Sequence, residues 1–200
     1  MRRERSEPRG AARRALFALA LGALAAACEG APRPCAGAPS ACIPDCRAAD
    51  AWPSAWAALE KAALDEINAR RALGGRCVTE GVPFDFAPAP ALLMDPAART
   101  AARCHSADMA AAGVLGHEGS EGSTFWQRLA GAGYSGEPAA ETVAAGYGTA
   151  AAVVAAWLTS EEGHCNALLD PFATEVGVGY VAGEGAAIAD WWTADFGRRP

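Results

Sequence analysis

The chain has 200 residues and a formal net charge of −6 at neutral pH, and 52% of its residues are hydrophobic. This length is enough for one domain with a buried core, and it does not require a second domain. The excess of carboxylates would repel phosphate backbones, so the composition disfavours nucleic acid as a partner.

The N-terminal segment is distinct in composition from the rest of the chain. Arginines as far as Arg14 precede an apolar run over residues 15–24, and small residues then lead to Cys28. This pattern predicts a signal peptide over residues 1–27, because a membrane-spanning helix needs about 20 apolar residues. The small residues that end at Cys28 resemble the lipobox of bacterial lipoproteins, which implies lipidation of Cys28 and a membrane anchor. Simple cleavage before Cys28, leaving an ordinary thiol, is the alternative. Glu29 at the next position resembles lipoproteins of the outer membrane.

The cysteine count favours an oxidising compartment. The chain contains seven cysteines, and setting Cys28 aside leaves an even number, as expected of an extracellular protein with disulfides. Six cysteines allow fifteen pairings, among which the sequence does not choose. Residues 28–49 are rich in Pro, Ala and Cys and are predicted to form a tether. Removal of residues 1–27 would change the net charge from −6 to −10.

Two helices are predicted in the first part of the domain, which we expect to cover residues 50–200. Apolar residues recur at spacings of three and four from Asp50 onwards and predict a helix that ends at Gly74-Gly75. The residues of this stripe are Trp52, Trp56, Leu59, Ala63, Ile67 and Leu73. Residues 76–90 are predicted to be a loop with a short extended piece over 82–84. Asp95 as N-cap and Pro96 at the first helical position predict a second helix, which ends at Gly113.

The remaining elements alternate between loops, helices and strands. A Gly-rich loop over residues 116–123 is followed by a short helix that Ser123 is predicted to cap and whose Phe125, Trp126 and Leu129 are predicted to point inward. Thr149 is predicted to cap a helix over 150–160. Strands are predicted over 174–181 and 188–196, with a turn at 182–185. The sequence therefore predicts an α+β domain with an antiparallel sheet near its C-terminal end.

An ordered series of short motifs resembles the CAP domain, also called the SCP-like extracellular domain, of cysteine-rich secretory proteins, antigen 5 and plant pathogenesis-related proteins. The resemblance covers roughly residues 57–197 and implies a three-layer α-β-α sandwich with a central antiparallel sheet. The matching residues are His105-Ser106-Ala107-Asp108-Met109, Gly116-His117-Glu118-Gly119-Ser120, Gly122-Ser123, Trp126, Arg128-Leu129, Ala132-Gly133-Tyr134, Glu141 with Gly146, Trp157, Gly163-His164, Thr174-Glu175-Val176-Gly177-Val178-Gly179, Trp192-Thr193 and Phe196-Gly197.

The resemblance also implies a cleft built from two histidines and two acidic residues. His117 and His164 match the two cleft histidines of the family, and Glu141 matches the acidic residue of its Gly-Glu-Asn motif. The second acidic residue of the family would fall near Ser160, so one of Glu161 and Glu162 is expected in its place; otherwise these two form a solvated helix terminus.

Two departures from the family pattern lie beside this cleft. The Gly-Glu-Asn motif is here Ala140-Glu141-Thr142, and the usual Thr-Gln pair of the last strand is Thr193-Ala194. Both replacements remove amide side chains that could orient the cleft. A third histidine, His105, lies within a predicted helix and is interpreted as an interior residue.

Two imidazoles and a carboxylate suit a borderline divalent cation, above all Zn²⁺. Both histidines must be neutral to coordinate it. The same groups could instead perform acid–base chemistry, but no credible nucleophile accompanies them: Ser106 and Ser160 are near only in sequence. In the implied fold Cys165 lies at the cleft rim near Cys77, so a disulfide between the two is our hypothesis.

Three functions follow from these expectations. The leading hypothesis is an envelope-attached CAP domain that is not an enzyme and presents a metal-capable cleft to a lipid, sterol or protein partner. The second is a hydrolase acting on peptide or cell-wall material, with Glu141 and His164 as catalytic residues: Glu141 would be the base, and a metal held by histidine would activate water. The third is a structural envelope protein with a vestigial cleft.

Overall fold

The structure is a computed structural model that describes residues 52–183 and 188–199. The predicted signal peptide over 1–27, the predicted tether over 28–49 and the lipidation predicted at Cys28 lie outside these residues. No helix within the described ranges has the length and apolar character required to cross a bilayer.

Five helices and six strands make up the described part of the chain. The helices are α1 (Ser54–Arg71), α2 (Pro96–Ala112), α3 (Phe125–Gly131), α4 (Ala150–Thr159) and α5 (His164–Leu169). The strands are β1 (Gly75–Thr79), β2 (Val82–Phe86), β3 (Leu93–Met94), β4 (Glu137–Ala145), β5 (Glu175–Ala182) and β6 (Asp190–Arg198).

Four of these strands form one sheet in the order β3-β5-β6-β4. Strand β6 pairs antiparallel with both β5 and β4, whereas the two-residue strand β3 pairs parallel with β5. Side chains of α1, α4 and α5 pack on one face of this sheet, around Trp192 and Phe196. Helices α2 and α3 cover the other face. The three-layer α-β-α sandwich is thus confirmed, with one short parallel edge strand added to its antiparallel centre.

The close approach of α2 to the sheet depends on two glycines of β5. A Cβ atom added to Gly177 or Gly179 would collide with the backbone of α2 at Ala98 and Ala102, respectively. Any larger residue would push the helix away from the sheet, because backbone atoms cannot give way as a flexible side chain can.

The prediction of a loop over residues 76–90 was wrong for residues 76–79 and 85–86, whereas the extended piece predicted over 82–84 lies within a strand. Strands β1 and β2 form a hairpin there, with Gly75 opposite Phe86 and Thr79 opposite Val82. Positive φ angles at Glu80 and Gly81 turn the chain between the strands. Strand β2 is mostly exposed. Apolar residues alternate in it, but Pro83 lies within the run, and a proline within a short run argues against a strand.

Three smaller predictions were also wrong. Leu73 lies beyond the end of α1 and is 71% exposed, and Trp126 is 54% exposed instead of inward-facing. Helix α3 begins one residue later than expected, with Thr124 as N-cap, whose N–H donates to Gln127 Oε1 at 2.9 Å. The caps predicted at Asp95 and Thr149 are present, because both side chains accept from backbone N–H groups of the following turn.

A disulfide joins Cys77 of the hairpin to Cys165 of α5, the pair expected from the resemblance. Both cysteines are buried in a small cluster with Leu169. Since Cys165 follows His164 directly, the bond fixes the turn on which that histidine lies.

Candidate functional site

Three segments that are distant in sequence converge at the free edge of the sheet. His117 lies in the loop after α2, Glu141 lies in the edge strand β4, and His164 is the first residue of α5. The structure therefore brings together the three residues predicted for the centre of the cleft.

Glu141 binds His117 directly. The Nδ1 atom of His117 lies 2.9 Å from Glu141 Oε1, and the Glu141 side chain is almost fully buried while that of His117 is 56% exposed. Burial acts to raise the pKa of Glu141, but the hydrogen bond with His117 and the charge of Arg128 outweigh it, and the pKa lies below its ordinary value. An ionised Glu141 accepts the Nδ1 proton and so leaves Nε2 of His117 as the available ring nitrogen.

Arg128 is the residue that holds this arrangement in place. Its guanidinium group is buried and bonds Glu141 Oε2 at 2.5 Å, the His117 carbonyl at 3.0 Å and the Ser123 carbonyl at 2.8 Å. One side chain thus positions both the carboxylate and the loop that carries His117. No role was predicted for Arg128, although Arg128-Leu129 is among the motifs that match the CAP family.

His164 faces His117 across the cleft. The centroids of the two rings are 6.1 Å apart, and the rings are inclined by 56°. Partial burial lowers the pKa of His164, as does the nearby His117, while the charge of Glu162 acts in the opposite direction. The lowered pKa favours the neutral form of His164, which is the form in which an imidazole can bind a metal ion.

The separation of the rings can be compared with that needed for a shared ion. With a Zn–N distance of about 2.0–2.1 Å, each ring centroid would lie roughly 3.2 Å from the metal. A tetrahedral angle at the metal then requires centroids about 5.2 Å apart, and a linear arrangement about 6.4 Å. The observed 6.1 Å falls within this range, and an approach of about 1 Å by the exposed His117 side chain would give the tetrahedral value.

If a zinc ion were held between the two rings, His117 and His164 would supply two of the four ligands that zinc usually takes. Over residues 52–183 and 188–199, no group of three or more His, Cys, Asp or Glu side chains is arranged to hold a metal ion. Both carboxylate oxygens of Glu141 are already bonded to His117 and Arg128. If a metal were bound here, Glu141 would therefore act on it through His117 and would not be a direct ligand.

The acidic pair Glu161 and Glu162 lies in the chain just before α5, the helix that begins with His164. Glu161 and Glu162 are both exposed. The carbonyl of Glu161 accepts from the N–H of Glu80 at 3.1 Å, and the N–H of Glu162 donates to Ser160 Oγ at 3.2 Å. Glu162 is near enough to His164 to affect the pKa of that ring, so it is the better candidate of the two for a role in the cleft.

His105, which was predicted to be an interior residue, and Ser106, which was considered as a nucleophile only for its position in the sequence, are both in the core. His105 is fully buried, and its Nε2 lies 2.8 Å from the carbonyl of Gly116, so it supports the loop that carries His117. Ser106 is also buried and donates to the carbonyl of Gly179 at 3.1 Å, which places its hydroxyl away from the cleft.

Asp195 is a buried carboxyl group beside the site for which no role was predicted. It lies opposite Glu141 in the pairing of β4 with β6. Complete burial raises its pKa well above the ordinary value, and the negative charge of Glu141 adds to the effect. An acidic residue within a predicted strand, between Ala194 and Phe196, was the signal in the sequence that could have drawn attention to it.

Two pockets flank the pair of histidines. The larger, with a volume of about 550 Å³, lies beside His117 and Glu141 and is walled by Phe125 and Trp126. The smaller, of about 230 Å³, lies beside His164 and along residues 143–145 of β4.

Comparison with known proteins agrees with this architecture. Residues 64–196 match the model of the CAP family, described as the cysteine-rich secretory protein family. The chain belongs to this family. The CAP domain is 32% identical over 144 residues to the uncharacterized protein YkwD of Bacillus subtilis, a match that covers 72% of this chain and 49% of YkwD. The chain thus spans about half the length of that relative.

Two solved structures are also similar to the CAP domain. One is an extracellular protein containing an SCP domain from Bacillus anthracis, with a TM-score of 0.50 and 29% identity over 56% of this chain and 35% of the other. The second is an outer surface protein of Borrelia burgdorferi, with a TM-score of 0.49 and 24% identity over 55% of this chain and 78% of the other.

Proposed function

We propose that this CAP domain functions outside the cytoplasm and binds one divalent cation, preferably Zn²⁺, between His117 and His164. Glu141 orients His117, and the pocket beside it receives an apolar group of a ligand or partner. In this proposal the protein is a binding module and has no catalytic activity of its own.

The observation that carries the proposal is the bond of 2.9 Å between His117 Nδ1 and Glu141 Oε1, with the His164 ring 6.1 Å away. Histidines that bind metals usually donate their other ring N–H to a carboxylate or a carbonyl, which fixes the tautomer and makes the ligand more basic. A histidine needed only for packing would have no reason to be exposed and paired with a buried carboxylate.

The same geometry disfavours the hydrolase. A general base must have a free oxygen near the proton that it removes, whereas both oxygens of Glu141 are bonded and its pKa lies below the ordinary value. If the hydrolase were nevertheless correct, a peptide or muropeptide library would be cleaved by the protein and left intact by the Glu141→Gln variant.

Zinc titration of the purified full chain by calorimetry tests the metal site. We expect one ion per chain, with affinity that decreases as the pH falls from about 8 to about 5, because protonated imidazoles cannot coordinate. The variant carrying both His117→Ala and His164→Ala should not bind the ion. Asp65→Ala, which removes an exposed carboxylate of α1, is the control and should bind like the unchanged protein. Equal binding by all three proteins would contradict the proposal.

We further propose that Cys28 carries a lipid that attaches the domain to the bacterial envelope, at the outer membrane where one exists. The basic segment, the short apolar run and the small residues before Cys28 support this. The mature protein should have a mass that includes acyl chains on Cys28, and the Cys28→Ala variant should be released from membranes. A mature protein that begins at Cys28 and lacks acyl groups would refute the anchor.

A further inference from the structure

The β4 edge of the sheet runs through the cleft and carries backbone groups that pair with no strand of the described residues. Strand β4 is the last strand of the described four-stranded sheet. The carbonyl of Val143 accepts from Trp157 Nε1 at 3.1 Å and therefore points away from β6. The N–H of Gly146 donates to the Asp190 carbonyl at 2.7 Å, which points towards β6.

These two contacts fix the direction of the backbone groups of β4 after the irregularity between Pro138 and Ala140, where the pairing with β6 is regular. Because alternate residues of an antiparallel strand bond to opposite sides, Glu141, Val143 and Ala145 direct their N–H and C=O groups to the open edge. Among these groups the Val143 carbonyl has Trp157 as its partner. The others form the row of donors and acceptors to which an added strand can pair.

The two pockets lie at the two ends of this row. Glu141 lines the larger pocket, and residues 143–145 line the smaller one. At about 3.4 Å per residue, the distance from Glu141 to Ala145 is about 14 Å. An extended segment of four or five residues would span it and would bring one side chain to the wall formed by Phe125 and Trp126.

The charges around the edge favour a cationic segment. Glu118 lines the larger pocket, and Glu121 lies in the same loop. Glu161 and Glu162 are exposed just before His164 in the chain, and the charge of Glu162 acts on that ring. The nearby cation Arg128 is buried and already bound to Glu141. The rim of the cleft is therefore negative on both sides of the edge.

We propose that the edge of β4 from Glu141 to Ala145 binds an extended peptide with basic flanks and an apolar residue that enters the larger pocket. Main-chain hydrogen bonds supply the affinity, and the pocket selects the side chain, as in other cases of strand addition. This inference deepens the proposed function by naming the partner of the same cleft, but the recognition itself needs no metal.

The test uses the purified full chain and a fluorescein-labelled octapeptide, Lys-Ala-Leu-Val-Trp-Val-Ala-Lys, followed by fluorescence anisotropy. Two further versions carry N-methyl groups at the odd or at the even positions. We expect one version to bind at least tenfold more weakly and the other to bind within about twofold of the parent, because only one set of amides faces β4. Equal effects of both versions, or no binding of the parent peptide at millimolar protein, would overturn the inference.

Two matched variants locate the site. Ala145→Pro removes an N–H that points to the open edge, and it spares the bonds to β6, so peptide affinity should fall at least fivefold. Trp126→Ala should cause a similar loss, whereas Phe172→Ala, which alters another exposed aromatic residue, should cause none. If Ala145→Pro lowers the free energy of unfolding in urea, its loss of peptide affinity is not interpreted, and the test is the peptide affinity of Trp126→Ala compared with that of Phe172→Ala. Equal peptide affinities of those two variants would refute the site.

Failure of the peptide proposal can be distinguished from failure of the metal proposal. Peptide binding is measured in the presence of EDTA and again with added zinc, and zinc binding is measured without peptide. Loss of peptide binding alone would refute the strand addition, and loss of zinc binding alone would refute the metal site.

Discussion

The ion pair between Arg128 and Glu141 should be the most sensitive point of the cleft. Their closest atoms are 2.5 Å apart, and both side chains are 1% exposed. The substitution Glu141→Ala would leave a buried guanidinium group without its counterion and would also free the His117 ring. The domain should lose both stability and the fixed orientation of that histidine.

The size of the effect follows from burial. Removing one partner of a buried pair costs about 3–5 kcal/mol, because the remaining charge stays in the interior without compensation. Removing both partners and filling the space with apolar side chains is often neutral. The variant Glu141→Leu with Arg128→Met should therefore be more stable than Glu141→Ala, although two substitutions were made.

The free energy of unfolding in urea, measured with the disulfides intact, tests this reasoning. The control is Asp65→Ala, which breaks an exposed ion pair with Lys61. The Lys61 side chain is 71% exposed and the Asp65 side chain is 61% exposed. Such a pair contributes about 0–1 kcal/mol. A loss in Glu141→Ala no larger than that in Asp65→Ala would refute the account of the cleft as a rigid, buried network.

Three further predictions concern the scaffold around the cleft. Replacing Cys77 and Cys165 with Ala should lower the free energy of unfolding by about 4–5 kcal/mol, because the bond closes a long loop with a separation of 88 residues. In the same urea assay, a decrease in the free energy of unfolding of less than about 1 kcal/mol would contradict this value. Gly179→Ala should cost more than about 3 kcal/mol or abolish folding, since its Cβ would meet the backbone of α2; a stability within about 0.5 kcal/mol of the parent would refute the close packing. Because the pKa of Asp195 is raised in the folded state, the stability that it contributes is present at low pH and is lost as the pH rises above about 4. Asp195→Asn should flatten the pH dependence of stability above that point, and an unchanged profile would count against the raised pKa.

Much of the fold could be predicted because the local signals agree with the packing. Asp95 and Pro96 define the start of α2 by capping chemistry alone, and the structure has the same start. The apolar alternation after Thr174 indicates a strand, and β5 is buried along nearly its whole length. Such elements are specified by residues close together in the sequence.

The cleft could be predicted only through resemblance, because its members come from separate segments. No local pattern around His117, Glu141 or His164 indicates that they meet. Their convergence depends on β4 lying at the edge of the sheet. The spacing of apolar residues along the sequence does not indicate the order of the strands in the sheet. Arg128 was missed for the same reason, since its partners lie in other elements.

The exposed elements were misjudged for a different reason. The hairpin of β1 and β2 and the Trp126 side chain lie at the surface, where burial does not constrain the sequence. An aromatic residue was predicted to be internal because most large apolar residues are. Its exposure beside the larger pocket is one of the observations that supports the binding of a partner there.

A crystal structure of the protein soaked with zinc, with anomalous data collected on both sides of the zinc absorption edge, tests the central claim most directly. We predict a single anomalous peak between the two rings, about 2.0–2.1 Å from one nitrogen of His117 and one of His164, with Glu141 still bonded to His117 Nδ1. A zinc ion bound elsewhere on the domain, with no peak between His117 and His164, would contradict it.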